Sequence, residues 1–105
     1  MNSQFKKGII EMCVMSLISE KDMYGFEVIE TLAKEIDVNE NTVYPILRRL
    51  TVQGFFSTYL SSTGIAAPRK YYKITATGSE KVKEYQEEWS TFLKAVFNIL
   101  GGNKR

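Results

Sequence analysis

Apolar residues near the start of the chain fall at Phe5, Ile9, Met12, Cys13, Leu17 and Ile18, spacings of three and four that predict a helix over residues 5–19. Ile10, Val14 and Met15 add apolar surface on its other sides. A helix apolar on more than one face is buried on more than one side, which in a small chain suggests contact with a second copy. After the short polar stretch Ser19–Met23, the positions Gly25, Val28, Ile29, Leu32, Ala33 and Ile36 predict an amphipathic helix over residues 24–36, with Asp22 as its N-cap. Residues 37–41, Asp-Val-Asn-Glu-Asn, form a turn dense in capping residues. A third helix starts at residues 39–41 and ends before Gly54. It buries Val43, Ile46, Leu47 and Leu50. At about 100° per residue, Asn41, Pro45, Arg48 and Val52 face the opposite way, with Thr42 and Arg49 on one flank and Tyr44 on the other. Pro45 falls in the first turn or just past it, where its missing N–H costs least.

The period then changes. Gly54 reads as a left-handed residue closing the third helix. Phe55–Ser61 alternates and is rich in aromatic and β-branched residues, so it predicts a strand. Arg69–Thr75 predicts a second, with Tyr72 and Ile74 on one face and Arg69, Tyr71 and Lys73 on the other. Ser62–Pro68 joins them, a longer connection than most hairpins have. One long helix follows over residues 76–100, capped by Thr75 or by Thr77, the latter opening a capping box Thr77-Gly78-Ser79-Glu80. Val82, Tyr85, Trp89, Phe92, Val96 and Ile99 recur at heptad spacing and predict a dimer seam. Leu93, Phe97 and Leu100 widen that stripe. The fold class is therefore α+β, mainly helical: a winged helix-turn-helix with a long C-terminal dimerisation helix. Residues 1–75 are expected to form the DNA-binding domain, and residues 76–105 the dimerisation helix with a short polar tail.

Composition narrows the chemistry. The chain has 105 residues, 44% hydrophobic and 25% charged, an ordinary single-domain balance that excludes large multidomain enzymes and disordered chains. It has no histidine and a single cysteine, Cys13. The commonest acid–base group and metal ligand are missing, an internal disulfide is impossible, and Cys13 reads as a buried reduced thiol in a reducing cytoplasm. There is no Cys–His or Ser–His pair and no Gly-rich phosphate loop, while the adjacent Glu87 and Glu88 point about 100° apart on a helix. An enzyme, a metal site and a cofactor are not expected. Lys6 and Lys7 before the apolar run Ile9–Ile18 look superficially like a signal peptide. Glu11 interrupts that run, no small-residue cleavage site follows, and the run is far short of the about 20 residues a membrane span needs. The net charge of +2 is unevenly distributed. Residues 39–73 hold Arg48, Arg49, Arg69, Lys70 and Lys73 against Glu40 alone, a basic middle third that fits a polyanion.

Four segments carry a family resemblance. Met23-Tyr24-Gly25-Phe26-Glu27-Val28-Ile29 resembles the YGYEI segment of the PadR family of bacterial transcriptional regulators. Asn41-Thr42-Val43-Tyr44-Pro45-Ile46-Leu47-Arg48-Arg49-Leu50 resembles its GTLYPALRRL recognition helix. Gln53-Gly54-Phe55 is similar to the EGL that follows, and Pro68-Arg69-Lys70-Tyr71-Tyr72-Lys73-Ile74-Thr75 to the PRKYYRLT return strand of the wing. The likeness runs in order from Ile9 to Leu100, and the length resembles the subfamily with a single C-terminal helix. Asn41 stands where the family has Gly, and the wing tip Thr63–Ala67 is more apolar than the family's. The resemblance implies a cytoplasmic homodimeric repressor acting on a palindromic operator in double-stranded DNA. It also implies a use for Trp89-Ser90. Some short members place a similar Trp-Ser pair at a pore in the dimer interface, where planar aromatic drugs or dyes stack between two indoles. Met12, Met15 and Phe92 would line such a multidrug-binding site; the alternative is that Trp89 is dimer core.

On DNA, a recognition helix needs short polar groups at its start and cations on its outward face. Asn41, Thr42, Tyr44, Pro45, Arg48 and Arg49 supply that face. Backbone N–H groups at the helix start favour a phosphate, the Tyr44 hydroxyl suits another, and Arg48 suits the O6/N7 edge of guanine. Arg49 either joins them or pairs with an acid. Arg69 and Lys70 on the wing would meet phosphate or the minor groove. Two other readings stand beside this one: a winged-helix regulator without a small-molecule effector, and a protein-interaction module whose basic face meets an acidic protein.

Overall fold

The computed structural model describes residues 3–62 and 64–102, with side chains from Lys6 onward. Helix α1 spans Ser3–Glu20; the side chain of Phe5 and the whole of Thr63 lie outside the described residues. The apolar surplus of α1 is largely taken up within the chain, because the other three helices and the return strand of the wing all pack around it. Ile10, Val14, Met15 and Ile18 are buried there and need no second copy to cover them.

The segment before the second helix differs from expectation. Met23–Tyr24 is a short strand, β1, and helix α2 spans only Gly25–Ala33. The extended backbone at residues 23–24 pairs with Tyr72 and Tyr71, so helical geometry cannot begin before Gly25. Tyr24 is the N-cap, and the Glu27 carboxylate accepts from its amide at 3.4 Å. Asp22 instead accepts a hydrogen bond from the Tyr59 hydroxyl at 2.6 Å. At the other end, the amides of Glu35 and Ile36 both bond to the Leu32 carbonyl, closing the last turn before residue 36.

Helix α3 spans Glu40–Val52, with Asn39 as N-cap and Val43, Ile46, Leu47 and Leu50 in the core. Its C-terminus is a Schellman turn: the Gly54 amide bonds to the Thr51 carbonyl and the Phe55 amide to the Leu50 carbonyl, each at 3.0 Å. Gly54 has φ +85°, the left-handed conformation that glycine adopts without steric cost. Strands β2 (Phe56–Ser61) and β3 (Arg69–Ile74) form the wing. They pair antiparallel from Phe56↔Ile74 to Ser61↔Arg69, in a sheet of order β1-β3-β2. The wing's return strand is thus held on both edges.

Helix α4 spans Ala76–Ile99. Thr75 caps it, its hydroxyl oxygen accepting from the Gly78 amide at 3.0 Å. Thr77 lies inside the helix, so the capping box expected there does not form. The first turns of α4 belong to the same core as the winged helix: Val82 is only 5% exposed and Tyr85 packs against that core. Leu93 still lines a groove against α1; beyond it the helix runs clear of the head, and Phe92, Leu93, Phe97, Ile99 and Leu100 are exposed. This gives the molecule its extents of 55 × 27 × 24 Å. Among the described residues no helix is long and apolar enough to cross a membrane.

Candidate nucleic-acid interface

The start of α3 is built by Asn39. Its side-chain oxygen accepts from the Asn41 amide at 2.9 Å, and its carbonyl accepts from Thr42 and Val43 at 3.1 Å. The amides of Asn41 and Thr42 are therefore satisfied within the helix start rather than offered to a phosphate, the role expected from sequence. Affinity for an anion there has to come from side chains.

On one flank of α3 the Tyr44 ring lies against Gly25 at the start of α2, where any Cβ would collide with the ring. A Cβ here would make the ring shift, so glycine lets Tyr44 rest between the two elements. Tyr44 then lines a groove of about 390 Å³ together with Tyr24, Gly25, Phe26, Arg69, Lys70 and Tyr72. The wing cations are oriented by aromatic faces: the Arg69 guanidinium lies 4.6 Å from the Tyr24 ring centroid, and the Lys70 ammonium 5.7 Å from that of Tyr72. Burial raises the Tyr72 phenol pKa above its ordinary value; Tyr44 adds to the rise and Arg48 opposes it. Arg48 and Tyr44 of α3 and Tyr72 of the wing thus share one electrostatic neighbourhood. Along the Tyr71 face of the sheet, which Arg69 shares, runs an aromatic rib. Tyr59 stacks on Tyr71 at 5.5 Å, and Tyr24 meets Tyr71 edge-on at 5.5 Å. The rib ends at Asp22, whose hydrogen bond is the main cause pushing the Tyr59 phenol up to about 12.

The other flank of α3 holds a second groove, of about 360 Å³, lined by Asn41, Thr42 and Pro45 with Lys6, Lys7 and Ile10 of α1. In the sequence alone Lys6 and Lys7 are only the flank of an apolar run. The pair of adjacent cations is visible there, but only the packing of α1 on α3 brings them beside the recognition helix. Arg49 takes the second of its two expected roles: its guanidinium pairs with the Glu11 carboxylate of α1, the side chains 37% and 19% exposed. It braces α3 against α1 rather than adding to the outward cations. Tyr85 of α4 adjoins this pair; its phenol pKa is raised mainly by burial, with Glu11 adding and Arg49 opposing.

The residues expected to hold an aromatic ligand are separated. A groove of about 260 Å³ between α1 and α4 is lined by Met12, Cys13, Tyr85, Trp89 and Leu93 among others. Cys13 is free and half-buried on its wall, its thiol pKa raised by burial. Met15 does not line it, because that side chain is sealed in the core at 0% exposure. Phe92 meets the Trp89 ring edge-on at 5.8 Å and lies outside the groove lining.

Three helices, a sheet-anchored hairpin and cations gathered on the outward side of the third helix define a winged helix-turn-helix of the transcriptional-regulator type. Residues 14–84 match the transcriptional regulator PadR-like family, and the chain belongs to it. A PadR-like transcriptional regulator from Bacillus cereus has 33% identity and a TM-score of 0.85, covering 96% of this chain and all of that one. A Streptococcus mutans protein has 31% identity and a TM-score of 0.80, covering 91% of this chain and 90% of its own. A Lysinibacillus sphaericus protein is 28% identical over 104 residues, 95% of each chain.

Proposed function

We propose that this chain is a sequence-specific, cytoplasmic DNA-binding repressor that acts as a homodimer on a palindromic operator. The observation that carries the reading is the groove that Tyr44 of α3 shares with Arg69 and Lys70 of the wing. A helix and a wing that converge in this way can engage the major groove and an adjacent phosphate ridge together. Asn41, Thr42 and Pro45 extend the surface along α3. In this reading residues 1–75 bind DNA and residues 76–105 dimerise. Trp89, Phe92, Val96 and Ile99 form the seam, joined by the exposed Leu93, Phe97 and Leu100; Val82 and Tyr85 act mainly within their own chain. The test is a binding titration on DNA from upstream of the protein's own gene. Arg48→Ala should weaken binding by about 1–3 kcal/mol and relax sequence preference, while Lys70→Ala should weaken all sequences alike. Unchanged binding by both variants would remove the assignment of helix and wing.

A planar aromatic effector at the dimer interface is the finer part of the proposal. The groove beside Trp89, walled by Met12 and Leu93, supports it. A flat ring stacking on the indole would gain about 0.5–1.5 kcal/mol beyond area burial. Titrating planar cationic dyes into the wild type and Trp89→Ala tests it: quenching of the only tryptophan, with a matching change in DNA affinity, is expected. A constant emission across all dyes would leave Trp89 as dimer core.

A further inference from the structure

We infer that Lys6 and Lys7 of α1 form a second phosphate-binding shoulder, so that the recognition helix carries cations on both flanks; this rests on the DNA-binding reading above. The B-DNA major groove is about 12 Å wide and is bounded on both sides by a phosphate backbone. A helix lying in it therefore meets two anionic ridges, one on each flank. On the Tyr44 flank of α3 the cations are Arg69 and Lys70 of the wing. On the opposite flank, Asn41, Thr42 and Pro45 share a groove with Lys6 and Lys7. Two further observations favour DNA backbone as the occupant. The ion pairs among the described residues join Lys21 to Glu27, Arg49 to Glu11 and Lys81 to Glu84, which leaves Lys6 and Lys7 without an acidic partner. The Asn41 and Thr42 backbone amides are already bonded to Asn39, so the lysines are the cationic groups this groove offers an anion. Phosphate contacts position a helix without reading sequence. The shoulder would therefore set the depth and tilt of α3, while base discrimination stays with Arg48.

The experiment is fluorescence anisotropy of the full chain on the DNA upstream of its gene and on an unrelated duplex of equal length, over a range of salt. The double variant Lys6→Gln, Lys7→Gln should bind both duplexes more weakly. Its slope of log affinity against log salt should flatten by about 0.9 for each phosphate no longer neutralised, roughly 1.8 per bound chain. Lys6→Arg, Lys7→Arg should keep the wild-type slope. Lys34→Gln, Lys94→Gln, which removes the same charge from exposed positions on α2's C-terminal side and on α4, should leave the slope unchanged. A wild-type slope in the Lys6, Lys7 variant, while Arg48→Ala still loses the operator, overturns the shoulder and leaves the DNA reading standing. Equal flattening in the Lys34, Lys94 variant also overturns it, since the effect would then be bulk charge. A wild type that binds neither duplex overturns the DNA reading itself.

Discussion

The winged-helix head and the outer half of α4 use similar apolar residues in opposite ways. In the head, Ile10, Val14, Ile46, Leu47 and Leu50 from separate helices close on one another, and Phe56 and Tyr72 seal the sheet side. Past Trp89, Phe92, Leu93, Phe97, Ile99 and Leu100 stand exposed along one long helix. The first pattern is satisfied by the rest of the same chain. The second extends past the groove that Leu93 shares with α1, and among the described residues its outer part stays uncovered. A helical hydrophobic stripe states that a surface is to be buried, and it takes tertiary structure to say against what.

Truncating the head's core should give the largest effect. Leu47→Ala, at a position with 0% exposure, should cost about 2–5 kcal/mol in a denaturant melt. Gly54→Ala should come next, at about 1–2 kcal/mol, because the left-handed backbone is costly for any other L-residue; no neighbouring atom would obstruct the new methyl, so backbone strain is the sole cause. Ile99→Ala, 80% exposed, should change the melting of dilute chains by no more than about 0.5 kcal/mol, yet weaken any self-association seen by sedimentation. A full-sized stability loss at Ile99 in dilute chains would break the contrast between the two regions.

The smallest expected effect belongs to the rib. The Tyr59 phenol is pushed up to about 12, so its neutral, donating form is favoured in the folded chain. The associated stabilisation is complete below the unfolded value of about 10 and is lost as pH rises through about 12. An ultraviolet titration of wild type minus Tyr59→Phe should show one phenolate appearing with a midpoint near 12.

Locally encoded features are readable from sequence. The buried face of α3 follows from helical spacing, and the Gly54 turn from one residue's backbone freedom. The features that are not readable depend on distant partners. Met23–Tyr24 is extended because Tyr71 and Tyr72 pair with it, and nothing in residues 19–24 announces that. Thr75 prevails over Thr77 as cap because its hydroxyl also donates to the Gly54 carbonyl at 2.7 Å, anchoring it to the turn before the wing. Arg49 and Glu11 are far apart in sequence, so neither could name the other. Met15 shares its helix with Met12, but the packing of other elements sends one into the core and the other to the groove wall.

The β1-β3-β2 order has a consequence for synthesis. The middle strand is the last of the three to leave the ribosome, so neither β1 nor β2 has its partner until residues 69–74 emerge. Helix α1, whose core face is covered partly by β3 and α4, spends that interval with apolar surface open. Folding units commonly form as the nascent chain lengthens, but here the pairing of Met23 with Tyr72 and the closure over Val82 come late. The first three helices should therefore be a vulnerable nascent intermediate, open to chaperones and proteases until the wing and the base of α4 complete the head together.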